Sequence, residues 1–148
     1  SKQSLLDALW RFPDHDGFMR LRPGGPMTAQ RLRELTDESL DFIAGNHDLM
    51  RLMTNQTLAG DQTARALREE ARAVWRRSVH AHFVEASDLE TADGATDALH
   101  AFINGVTMRV VMVHGDKAPM VCRDPAFREL LYRRALLVAP PGLVDAGC

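Results

Sequence analysis

The chain has 148 residues, of which 45% are hydrophobic and 26% charged, and this composition predicts one globular domain over 1–148 with its own core. Its formal net charge of −2 excludes the strongly basic composition of a chain that binds nucleic acid directly, and it gives no reason to expect an anionic membrane surface as a partner. The two cysteines, Cys122 and Cys148, are too few for the disulfide framework of a small secreted domain. We expect no signal peptide, no membrane-spanning segment and a cytoplasmic location.

The hydrophobic periodicity is helical along the chain and strict alternation of apolar and polar residues is absent, so we predict an all-α bundle of about six helices. The first helix covers 1–12 and ends before Pro13. The segment 14–26 closes with Pro23-Gly24-Gly25-Pro26, which predicts an exposed, flexible loop between the first and second helices.

Two further helices follow the loop. Thr28 is suited to cap the second helix, which runs to about Ala44, and Gly45 is placed to end it. Asn46 can then cap a short third helix that extends to Met53. We therefore expect a break in the helical backbone at Gly45.

The fourth helix, about 61–86, carries an apolar stripe and a row of arginines. The arginines are spaced by 3, 4 and 4 residues: Arg65, Arg68, Arg72 and Arg76. Such a row could contact nucleic acid, but Glu69 and Glu70 are interleaved with it. We interpret the arginine row as a solvated helix face on another side from the apolar stripe.

The fifth and sixth helices are apolar on more sides than one core requires. The fifth covers about 92–114 with Gly115 as its stop, and the sixth starts at Asp124-Pro125, an N-cap followed by proline. Small residues on the fifth helix would let another backbone approach closely, namely Gly94, Ala98, Ala101 and Gly105. We predict a two-fold dimer through a four-helix bundle, with interface residues Val106, Val110, Val113, Phe127, Leu130 and Leu131. The alternative is a monomer in which the fifth helix is buried at the centre.

Polar side chains on these apolar helices predict a small-molecule pocket. His100, Asn104 and Thr107 are spaced by 4 and 3 residues and lie on one side of the fifth helix. Buried hydrogen-bonding groups need partners, which can be other helices, water, a second subunit or a ligand. We predict an effector pocket lined by Phe42, Trp75, Ser78, His82, His100, Asn104 and Met108. The alternative for each of these residues is an ordinary place in a filled core.

The sequence contains no recognisable catalytic motif, because HExxH, GxSxG, CxxC and a glycine-rich phosphate loop are all absent. The polar turn Asp14-His15-Asp16 could contact a metal, but a solvated turn is the better interpretation. Asp37 and Asp41 lie one turn apart and are expected to pair with Arg33 and neighbouring charges rather than to act as an acid/base pair. We expect no enzymatic activity, no metal and no cofactor.

Several segments, taken in order, resemble the TetR (tetracycline-repressor-like) family of transcriptional regulators. The opening pattern Ser1-Lys2-x-x-Leu5-Leu6-x-Ala8-Leu9 is similar to the junction that follows the recognition helix in that family. The pattern Asn46-His47-Asp48-Leu49-x-Arg51-Leu52 resembles its short turn-and-helix segment, although the proline common there is absent. The stretch from Trp75 to Leu89 is similar to the family's long seventh helix and its exit turn. Ile103-Asn104-Gly105-Val106 resembles the small-residue step of the eighth helix, and Asp124-Pro125 resembles the start of the ninth.

The resemblance covers nearly the whole chain and implies a homodimeric, ligand-responsive regulator, which we expect to be a repressor. Its helix-turn-helix would lie upstream of Ser1, joined through the linking helix 1–12, so operator DNA would be contacted only through a segment that this chain lacks. In the family that the chain resembles, small effectors bind among these helices and release the DNA. The alternative function is a helical-bundle oligomerisation or interaction domain without a ligand, which would have a filled core with His100 and Asn104 bonded internally.

Overall fold

A computed structural model describes residues 25–139 and, near the start, Ser1, Ser4, Leu5 and Ala8. Every regular element in these residues is helical and none is a strand, which confirms the all-α prediction. Ser4, Leu5 and Ala8 are helical, while the rest of the predicted linking helix lies outside the described residues. The same holds for 14–24 of the predicted loop.

Four helices of 14 residues or more account for most of the described chain. They are α1 (Ala29–Leu58), α2 (Gln62–Val84), α3 (Leu89–Arg109) and α5 (Pro125–Val138), and the six-residue α4 is Ala118–Arg123. A π-helical turn (Val110–His114) and a 3₁₀ turn (Gly115–Lys117) connect α3 to α4. Within the described residues, no helix combines the length and the apolar character needed to cross a bilayer.

The described residues do not have the predicted six helices, because the second and third predicted helices form one element, α1. Thr28 caps α1 as predicted, since its Oγ1 accepts a hydrogen bond from the backbone N–H of Arg31 at 3.2 Å. Gly45 does not end the helix. Instead α1 continues through a kink at Asn46, whose φ is −132° and ψ is 21°, and the Asn46 side chain donates to the carbonyl of Phe42 at 3.0 Å. The residues that predict a break in the helix, Gly45 and Asn46, therefore produce a kink.

Aspartates begin the other long helices. Asp61, Asp88 and Asp124 each accept a hydrogen bond from a backbone N–H two or three residues later, and Pro125 takes the first position of α5 as predicted. Hydrogen bonds from the backbone and side chain of Thr91 hold the pKa of Asp88 below its usual range. Each cap satisfies an N–H group that the start of a helix leaves without a partner.

The apolar faces of the helices form two main buried clusters. The central cluster joins α1, α2, α3 and α5 through Met27, Leu32, Leu35, Trp75, Val79, Phe83, Ala92, Ala95, Leu99 and Ala135. The α1–α5 cluster consists of Leu40, Ile43, Ala44, Val110, Val111, Ala118, Cys122 and Leu131. Helices α1 and α5 each contribute to both clusters, so they connect the two parts of the core.

Ion pairs fasten α5 to α1 beside this core. Arg33 contacts Glu129 at 2.9 Å, and Arg128 contacts Asp37 at 3.6 Å and also Asp41. The aspartates thus pair with a neighbouring charge, Arg128, and not with Arg33 as their main partner. These pairs are partly exposed, so their main effect is on the orientation of α5 rather than on stability.

Burial corrects the prediction of the dimer interface. Val110 and Leu131 are 1% and 4% exposed because they belong to the α1–α5 cluster, which leaves them no surface for a partner chain. Val113 and Leu130 are 70% and 44% exposed and could contact a second copy. The two remaining residues, half-buried against the same cluster, are Val106 and Phe127.

Candidate functional site

A cavity of about 550 Å³ lies between α1, α2 and α3. This volume is within the range of small-molecule sites, roughly 300–1,000 Å³. Residues of α1 on both sides of the Asn46 kink line it, among them Phe42 before the kink and Met53 after it. The kink therefore sets the shape of one wall.

Much of the cavity wall is apolar and adaptable. The larger apolar residues that line it are Phe42, Ile43, Met50, Met53, Leu67, Val74, Trp75, Ile103 and Met108. Three of these are methionines, whose unbranched, polarisable side chains adjust to ligands of different outline. The wall suits a molecule with a substantial apolar body.

The hydroxyl groups on the wall donate hydrogen bonds to other groups of the protein. Ser39, Thr57 and Thr107 each donate to the backbone carbonyl four residues earlier, at 2.7, 2.8 and 2.9 Å. Thr54 donates to the sulfur of Met108 at 3.7 Å. Since these hydroxyls are satisfied locally, a ligand would find its hydrogen-bond donors elsewhere on the wall.

Arginines supply those donors. Arg65, Arg68 and Arg72 border the cavity. Arg65 and Arg72 are exposed, in agreement with the solvated arginine face that the sequence predicts, while Arg68 is half-buried. Arg68 is seven residues before Trp75, and seven residues are almost two turns of helix, so both side chains lie on the same side of α2. Arg68, a half-buried residue, donates to Oδ1 of Asn104 across a long 3.4 Å.

The neighbouring arginines differ from Arg68 in having carboxylate partners. Arg72 contacts Glu69 at 2.8 Å, and Arg76 contacts Asp97 of α3 at 3.2 Å. Across 25–139 and the four described residues near the start, Arg68 has no carboxylate within ion-pair distance. It is therefore a half-buried cation whose charge is uncompensated at short range.

His100 borders the same region in its neutral form. Its ring lies edge-on to that of Trp75, with centroids 5.2 Å apart. Burial lowers the pKa of His100 below its ordinary value, and the positive charges of Arg72 and Arg68 add to this effect. A neutral imidazole offers one N–H donor and one acceptor to a bound molecule.

The structure brings together five of the seven residues predicted to bind an effector: Phe42, Trp75, His100, Asn104 and Met108. Ser78 and His82 are not among the residues that line the cavity. His82 is 3% exposed, and its Nδ1 lies 2.7 Å from the carbonyl oxygen of Gly25 and 3.0 Å from Nη1 of Arg31. Its own carbonyl accepts a hydrogen bond from Met27. His82 thus fastens the segment that precedes α1.

Sequence reasoning missed Arg68, Met50 and Met53 as wall residues. For Arg68 the signal was present in the seven-residue spacing to Trp75, which outweighs the general tendency of arginines to face solvent. Met50 and Met53 were assigned to a separate short helix, so their continuity with Phe42 was not visible.

One further group of polar residues has the composition of a metal site. Ligand atoms of His47, Asp48 and Asp116 lie within 4.8 Å of one another. Arg51 already contacts the two carboxylates, at 3.0 Å for Asp48 and 3.6 Å for Asp116. Because a guanidinium neutralises this exposed group, we assign no metal to it.

Comparison of the chain with models of known protein families, with curated proteins and with solved structures finds no match in any of the three. Membership of a family is therefore not shown, and the resemblance to TetR regulators stays a prediction.

Proposed function

We propose that the chain is the effector-binding and dimerisation part of a TetR-type transcriptional regulator. The observation that carries this proposal is the cavity of about 550 Å³ between α1, α2 and α3, with an apolar wall and a few polar groups. Trp75, His100 and Asn104, which the sequence indicated as ligand contacts, all line it. A small molecule of amphipathic character is the effector that such a wall favours.

The same observation disfavours an oligomerisation bundle without a ligand. That alternative requires a tightly filled interior in which His100 and Asn104 are bonded internally. A cavity that opens to solvent lies between the three long helices instead, and the bond that Asn104 accepts from Arg68 on its wall is long, at 3.4 Å. Such a wall supports a site that is completed by a ligand.

Regulation in this proposal depends on a difference in affinity. An effector changes the protein only to the extent that it binds one arrangement of the helices better than another. A helix-turn-helix segment upstream of Ser1 would be joined through the linking helix 1–12 in each subunit. Since operator half-sites have a fixed separation, a change in the spacing of the two linking helices lowers DNA affinity.

A second copy of the chain is the proposed partner, and exposed apolar side chains support it. Val113, Leu130 and Leu137 are 70%, 44% and 83% exposed. Leu130 and Leu137 are seven residues apart and lie on one side of α5. Large apolar side chains grouped on a helix are typical of protein interfaces.

Native mass spectrometry of the purified protein tests the proposal. We expect a dimer that carries additional mass, and we expect that mass to be lost on denaturation. Ala71→Trp, which places a large ring on the cavity wall, should remove the additional mass. Ala66→Trp, at an exposed position of the same helix, is the matched control and should retain it. A monomer without bound mass at micromolar concentration contradicts the proposal.

A further inference from the structure

We propose that the ligand of this cavity is an amphipathic carboxylate, with Arg68 as the counter-ion of its charged end. This inference rests on the proposed ligand-binding function and specifies the chemical class of the ligand. It follows from the distribution of charge and of hydrogen-bond donors on the wall.

Arg68 is the central observation. The residue is half-buried at the cavity, and its one hydrogen bond, to Oδ1 of Asn104, is long, at 3.4 Å. A guanidinium that has no carboxylate at ion-pair distance has donors left for charge-assisted hydrogen bonds with an anionic ligand. The planar guanidinium matches a carboxylate through two parallel hydrogen bonds.

The acidic residues on the wall do not provide this compensation. Glu69 pairs with Arg72 at 2.8 Å, and Glu70 has an interaction of its own. Arg65 adds a further positive charge at the cavity. The charged residues that line the cavity are thus three arginines and two glutamates, an excess of one positive charge, which favours an anionic ligand over a cationic one.

The available polar donors of the wall belong to α2 and α3, whereas apolar residues line the cavity from all three helices. Arg68, the neutral His100 and the amide N–H groups of Asn104 are carried by α2 and α3. The α1 wall presents Phe42 and Met50, and its hydroxyls donate to their own helix or to sulfur. A ligand that satisfies this wall has an anionic group beside α2 and α3 and an apolar body.

Two fluorescent probes with a common ring and chain separate charge from hydrophobicity: 1-pyrenebutyrate and 1-pyrenebutanol. Titration of the full chain with each probe should show the carboxylate binding at least about tenfold more tightly than the alcohol, since a hydrogen bond to a charged group contributes this much. Arg68→Gln should reduce carboxylate affinity about tenfold and leave the alcohol unchanged. Arg77→Gln, at an exposed position of α2 away from the cavity lining, is the matched control and should change neither.

The outcomes separate this inference from the proposed function. Equal affinity for the two probes, or an equal loss in the Arg68 and Arg77 variants, overturns the carboxylate assignment and leaves a ligand cavity. Carboxylate binding that Ala71→Trp does not weaken takes place outside the cavity and also overturns it. Binding of neither probe overturns the ligand cavity together with the inference. Retained alcohol binding in the Arg68→Gln protein shows that this variant is folded.

Discussion

The α1–α5 cluster and the cavity use the same helix, α1, in opposite ways. In the cluster, Leu40 and Ala44 are enclosed by residues of the π-helical turn, α4 and α5. At the cavity, Phe42 is half-buried and lies across an open volume from residues of α2 and α3. The comparison teaches that apolar residues of similar size either fill a core or line a site, according to how many neighbours the helix packing brings to them.

The polar and ionisable side chains of the two regions also differ. In the α1–α5 cluster, burial raises the pKa of the Cys122 thiol to about 11, so it remains protonated and unreactive. At the cavity, Arg68 and His100 line an open volume instead. The first region contributes stability, and in the proposed function the second provides recognition.

The largest expected effect comes from shortening one side chain in each of the two regions. Leu131→Ala should lower the free energy of unfolding by about 2–4 kcal/mol, because it removes a side chain from the closely packed cluster. Met108→Ala, on the cavity wall, should cost about 1 kcal/mol, because the side chain is only half-buried and lacks neighbours on its cavity side. Urea-induced unfolding measures both values. Equal losses would mean that the cavity wall is packed as closely as the cluster.

An intermediate effect concerns the outer side of α3. Gly105 is exposed and helical, and a Cβ added there meets nothing within 4 Å, so Gly105→Ala should raise the free energy of unfolding by about 0.5–1 kcal/mol. Gly60→Ala is the control and should be destabilising, since Gly60 has a φ of +89°. A loss of stability at Gly105, measured by the same unfolding assay, would show that another chain covers this face in solution.

The smallest effect is the pH dependence that comes from His100. Because its pKa is lowered in the folded state, the unfolded chain binds more protons just below the ordinary value of 6.5. Its contribution to stability is therefore complete above that value and is lost as the pH falls through the folded-state pKa. The groups that act on this titration are Arg72, Asp97, Glu69 and Arg68.

Thermal unfolding at about pH 7.5 and about pH 5.5 measures this contribution. The decrease in Tm towards the lower pH should be smaller in His100→Gln, which keeps a polar side chain that does not titrate. An unchanged decrease would place the origin of the pH dependence in other groups and would remove the argument that His100 is buried at the cavity.

The helix type and the caps of this fold were predictable from sequence, because they depend on local patterns. Thr28 and Asp124 begin helices where their short polar side chains indicated. Gly45 and Asn46 also indicate an interruption of the helix, but the same two residues are compatible with a complete break and with a kink. Packing of α1 against the other helices decides between them, and that packing is not local information.

The site was predictable in part. The spacing of His100 and Asn104 indicated one face of a helix, and both line the cavity. The partners of each face were not predictable, because periodicity gives the side of a helix and not the element opposite it. Val110 was therefore assigned to a dimer interface although it packs inside the chain, and His82 was assigned to the pocket although it contacts Gly25.

The kink at Asn46 has a thermodynamic consequence for α1. It separates the last part of the helix, 47–58, from the long first part, and a helix of about three turns is only marginally stable alone in water. In 47–58 the buried residues are Met53 and Thr54, and both line the cavity. In the proposed function, local unfolding of this part and occupation of the cavity would therefore be linked. A ligand in contact with Met53 would stabilise these turns, and a substitution that unfolds them would reduce the affinity of the ligand.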